Sequence, residues 1–143
     1  MKKYSIFGSI FLSTVLLLGA CGDKEEVKNA PTEDKIVSEF GFRSFDLEVD
    51  TPDHKEAIEA SFDIDISETE AEYVNRIEPK DLKGDKAYKE LEPIFKELGL
   101  TKDMKKDEVI EKVSQAFEVE DYTKFNLEVE FPDGDEKEYK DEK

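Results

Sequence analysis

The sequence predicts an α+β fold in two layers, an antiparallel sheet of about five strands in the order β-β-β-α-α-β-β packed on two helices. Three observations carry this. Apolar and polar residues alternate at Phe45, Leu47, Val49 and again at Phe125, Leu127, Val129, Phe131, the period of a strand with one buried face. Between them the apolar spacing becomes helical, at Ala87, Leu91, Ile94, Phe95, Leu98 and at Val109, Ile110, Val113, Ala116, Phe117. The two alternating stretches are also near copies: Phe45-Asp46-Leu47-Glu48-Val49-Asp50-Thr51-Pro52-Asp53 matches Phe125-Asn126-Leu127-Glu128-Val129-Glu130-Phe131-Pro132-Asp133. One copy is too few for a repeat array, so the pair is expected at equivalent positions in one sheet, side by side, each opening a hairpin.

The chain opens with Met1, Lys2 and Lys3, an apolar run from Tyr4 to Leu18, then small Gly19 and Ala20, which is the order of a secretory signal over residues 1–20. The run of 15 residues is shorter than the ~20 a membrane-spanning helix needs. Leu18-Gly19-Ala20-Cys21 resembles the lipobox of bacterial lipoproteins. That resemblance implies that Cys21, the only cysteine, accepts a diacylglycerol through its thiolate and becomes the first residue of the mature chain. Residues 21–39 are polar and read as a flexible tether, reaching roughly 23 Å from the bilayer. A single domain follows over residues 40–143.

Within the domain, the strand at Phe45 to Val49 is closed by the turn residues Thr51-Pro52-Asp53-His54-Lys55. A second alternation, Ile58, Ala60, Phe62, Ile64, Ile66, completes a hairpin, and a shorter strand is expected at 71–77. The first helix should be capped by Asp85, ended by Gly99, and kinked or broken near Leu91 by Pro93. The second starts behind Met104 with Asp107 and Glu108. Pro132-Asp133-Gly134-Asp135 turns the last strand, and Tyr139 closes a short final one.

The lipobox, the Phe-x-Leu-x-Val strand, the central helix pair and the closing Tyr122-Thr123-Lys124-Phe125-Asn126-Leu127-Glu128-Val129 strand resemble the YusW-like family of small lipoproteins over roughly residues 42–139. The resemblance implies a Gram-positive cell envelope as the compartment. It implies no chemistry and no functional residues.

Charge limits the remaining readings. Losing residues 1–20 removes two of 21 basic residues and none of 38 acidic ones, so the mature chain has 19 against 38 and a net charge of −19. Such a chain repels nucleic acid. With its one thiol lipidated it has none left for disulfides, zinc or nucleophilic catalysis. His54 is the sole histidine, in a turn, with no nucleophile brought to it by pattern. No serine sits in a Gly-x-Ser-x-Gly elbow, and no phosphate or zinc motif occurs. No catalytic residue, metal or cofactor is therefore assigned, and the chain is expected not to be an enzyme.

The acids are the candidate site. The alternation projects Asp46, Glu48, Asp63, Asp65, Glu128 and Glu130, with Asp50 and Glu59, from the outer face of the sheet. Arg43, Arg76, Lys124 and Lys137 would relieve part of their repulsion. The expected function is a membrane-anchored extracytoplasmic binding module for a basic envelope partner. Two alternatives stand beside it, calcium sequestration at the surface and inhibition or chaperoning of a secreted protein by strand addition.

Overall fold

The computed structural model describes residues 25–64 and 68–143. They form β1 (Glu25–Glu26), α1 (Glu33–Phe40), β2 (Ser44–Asp50), β3 (Ile58–Ile64), β4 (Thr69–Asn75), β5 (Lys80–Lys83), α2 (Asp85–Leu98), α3 (Lys106–Ala116), β6 (Lys124–Glu130) and β7 (Glu136–Glu142). The fold is α+β, with an open, wholly antiparallel sheet of seven strands and three helices among the described residues. The strands run β1-β4-β3-β2-β6-β7, and β5 pairs with β4. Five strands and two helices had been expected, so two strands and one helix are additions.

The additions come from residues 25–39, where a tether was expected, and from the stretch after β4. Glu25 and Glu26 pair with Ala71 and Glu70, and Val27 donates its N–H to Thr69 C=O at 2.7 Å. Glu33 and Asp34 suit the positive start of α1. Ile36 and Phe40 are buried from it. The helix has only eight residues, too few to hold itself together in water. Its stability is tertiary: the Phe40 ring lies 5.3 Å from Phe95 and 5.5 Å from Phe62.

β4 ends earlier than the alternation suggested. Asn75 Oδ1 accepts the N–H groups of Ile77 and Glu78, both at 2.9 Å, which turns the chain and leaves Ile77 47% exposed. β5 then returns along β4. Glu56 and Glu118, the non-glycine residues in the left-handed region among the described residues, both sit in connections.

α2 is continuous through Pro93. Pro93 lies on the solvent side together with Lys89, the residue whose carbonyl loses its bond, and the helix is not broken there. Asp85 is the first helical residue rather than the cap, which is Gly84. Its Oδ1 instead accepts the Asn29 N–H at 3.1 Å, tying the segment between β1 and α1 to the start of α2. Gly99 ends the helix in the left-handed conformation, as expected.

Phe95 centres the core, 4.8 Å from Phe45 and 5.1 Å from Phe42. Inward Phe45, Leu47, Val49, Phe62, Phe125, Leu127 and Val129 complete the buried face of the sheet. The duplicated stretch makes the middle of that sheet. β2 and β6 lie side by side with Phe45 opposite Val129, Leu47 opposite Leu127 and Val49 opposite Phe125. A local two-fold therefore passes between the two leucines. The backbone obeys it: Arg43 N–H donates to Glu130 C=O at 2.7 Å, and Thr123 N–H to Asp50 C=O at 2.8 Å.

Candidate interaction face

The face away from the helices carries the acids. Asp46 stands across the ladder from Glu128, and Glu48 from Glu59. Asp63 and Glu130 flank Ser44 from its two sides. Five of the six carboxylates expected at the site, Asp46, Glu48, Asp63, Glu128 and Glu130, are thus neighbours on three adjacent strands. Asp65 lies outside the described residues, and so does Cys21. The flanking strands extend the face beyond what alternation predicted: Glu70 is opposite Asp63, Glu138 opposite Glu128 and Glu136 opposite Glu130. β7 has a weak alternation because only Tyr139 in it is buried, so its outward acids carried no strand signal.

Basic residues relieve the rim more than the centre. Arg43 pairs with Glu33 and reaches Glu130 at 4.0 Å, Arg76 pairs with Glu59 at 2.7 Å, and Lys124 stands opposite Asp50. Lys137 does not take part: it is opposite inward Val129 and so belongs to the helix side of β7. Lys140 takes its place, 3.3 Å from Glu138.

The electrostatics follow from this layout. Partial burial, then Asp46, Glu56 and Glu59, push the Glu48 carboxyl above its ordinary value. Burial and then Glu138 and Asp46 do the same to Glu128, which also shares a hydrogen bond with Glu138. Burial raises Glu130 as well, with Arg43 opposing and Glu136 and Asp63 adding to the rise. Carboxylates in this state gain when a positive charge approaches. They do not form a chelating set: among the described residues no three His, Cys, Asp or Glu side chains are grouped to hold a metal ion. His54 lies exposed in the β2–β3 turn, its N–H donating to Thr51 C=O at 3.3 Å. Asp133 and Asp135 are both paired with Lys102 from the α2–α3 connection.

The family profile of the YusW-like proteins matches residues 43–133, from the entry of β2 to the turn after β6. The chain belongs to the YusW-like family. The match covers the paired copies, β4, β5, α2 and α3, so the central strands of the acidic face lie within the YusW-like region. β1, α1 and β7 fall outside it. No match was found among curated proteins or among solved structures. No described helix is long and apolar enough to cross a membrane.

Proposed function

We propose that this YusW-like chain is a non-enzymatic binding module, held at the outer surface of the cell membrane by a lipid on Cys21, which engages a basic partner of the cell envelope through its acidic sheet face. The observation that supports it is the contiguous set Asp46, Glu48, Asp63, Glu128 and Glu130, whose central members hold their protons more tightly than ordinary carboxyls. The lipobox supports the anchor: two acyl chains at about 0.8 kcal/mol per buried methylene hold a protein at a bilayer durably.

Two measurements test the reading. Poly-L-lysine should bind the full chain, weaken as salt rises, and bind at least about tenfold less to the Glu48→Gln/Glu128→Gln/Glu130→Gln variant. Equal binding by variant and parent would remove the face from the reading. For the anchor, Cys21→Ser should move the protein from the membrane fraction to the soluble one. A variant that stays fully membrane-bound contradicts lipidation.

A further inference from the structure

The local two-fold is incomplete. It relates β2 to β6 and β3 to β7, and the bonds from Ile64 N–H to Arg43 C=O (3.1 Å) and from Lys143 N–H to Thr123 C=O (3.0 Å) are its equivalent closures. In the first half, β4 lies on the far side of β3. Among the described residues, no strand lies on the far side of β7.

The ladder fixes which groups that leaves. Phe131 N–H bonds Asp135 C=O, and Lys143 N–H bonds Thr123 C=O, so odd-numbered residues of β7 bond toward β6. The backbone N–H and C=O groups of Glu138, Lys140 and Glu142 therefore point away from the sheet. Their counterparts across the two-fold are Glu59, Ser61 and Asp63, the residues that face β4.

At the Asp141 end of this strand lies a groove of about 730 Å³, walled by α3 and the segment that follows it. Ile110, Val119 and Tyr122 give it an apolar part, and Asp107, Glu111 and Asp141 give it negative charge. Tyr122 donates its hydroxyl to Asp141 at 2.7 Å. The Lys143 ammonium lies 4.1 Å from the ring centre of Tyr122, a residue that lines the groove, so that ring already takes a cation of this chain. In the first half α2 packs over β4, and in the second α3 meets β7 with the groove between them.

We propose that the β7 edge and this groove take an extended, lysine- or arginine-rich segment of a partner protein, which pairs with β7 as a further strand and turns alternate basic side chains into the groove. The inference shares with the sheet-face reading the need for a cationic partner, and adds a second site and a backbone conformation.

The test uses the full chain in neutral detergent and an eight-residue peptide alternating lysine and valine. A control alternates lysine and proline, carrying the same charge with every second N–H removed and the backbone held off the β ladder. The first should bind at least about tenfold tighter than the second by fluorescence anisotropy. It should also slow amide exchange at Glu138, Lys140 and Glu142. Glu111→Lys should weaken it about tenfold. Equal affinity for the two peptides, no binding of either, or unchanged exchange at those three amides would overturn the inference and leave the poly-L-lysine result on the sheet face to stand or fall separately. Protection of the same amides without peptide, together with a dimer mass in sedimentation, would assign the edge to a second copy and overturn it too.

Discussion

A carboxyl that faces another carboxyl across a ladder, with part of its water removed, favours the protonated form, and Glu48, Glu128 and Glu130 are each placed so. Their folded-state values lie above the ordinary glutamate value of 4.5. In that interval the folded chain binds more protons than the unfolded one, so these groups make stability rise as pH falls from neutral toward 4.5. Asp133 has the opposite sign: Lys102 holds it below 3.8, so its contribution is lost only in more acid solution. Thermal melts should therefore show a higher midpoint at pH 5 than at pH 7.5. Glu48→Gln/Glu128→Gln should be stabilised at pH 7.5 by roughly 0.5–1 kcal/mol, with the gain shrinking at pH 5. A variant less stable than its parent at pH 7.5 would mean that these side chains are held by attraction. The central residues of this face were legible because strict alternation assigns every outward position once the inward ones are known. Lys137 was misplaced because β7 offers a single buried residue, Tyr139, to set its phase.

At the scale of elements, period and length together decided what could be seen. α2 and α3 present several turns of apolar residues and were readable, as were β2, β3 and β6, whose inward positions are all apolar. α1 has only Ile36, Val37 and Phe40 in two turns, and what fixes it is an aromatic cluster assembled from α2, β3 and Phe42 in the connection to β2. Long-range rings leave no local trace. Ile36→Ala should then cost about 2–5 kcal/mol, the range for a buried aliphatic side chain, where a tether residue would cost nothing measurable. The joint between β1 and α2 is equally dependent on one residue. Gly84 has φ 61°, and a Cβ there would stand 2.9 Å from the Glu26 carbonyl oxygen. Gly99 has φ 55° with nothing within 4 Å. Gly84→Ala should cost about 2–3 kcal/mol and Gly99→Ala about 1 kcal/mol in urea unfolding. Gly84 also has ψ −134°, outside the left-handed helical region that Gly99 occupies, so equal costs would show that neither its contact with β1 nor its ψ adds to the penalty.

For the molecule as a whole, the distribution of charge sets how it answers to solution conditions. Its 38 acidic residues face 21 basic ones. The pairs that form are mostly exposed, such as Lys80 with Glu90 at 2.9 Å and Lys96 with Glu92 at 3.1 Å, and exposed pairs contribute about 0–1 kcal/mol each. Like-charge neighbours, by contrast, line the sheet face in several rows, from Glu138 through Glu128 to Asp46 and from Glu136 through Glu130 to Asp63 across Ser44. Repulsion therefore outweighs attraction in the folded state, and folding concentrates it on one side. Salt weakens both, but the repulsion, being the stronger of the two, loses more. The Debye length falls from about 14 Å at 0.05 M to about 4 Å at 0.5 M, shorter than the reach across two strands. Raising sodium chloride between those limits at pH 7.5 should raise the melting midpoint by several degrees, and the rise should be smaller in Glu48→Gln/Glu128→Gln, which lacks two of the central charges. A midpoint that stays level or drops with salt would show that the ion pairs around Arg43, Arg76 and Lys102, and not the acidic rows, govern the charge energy of the fold.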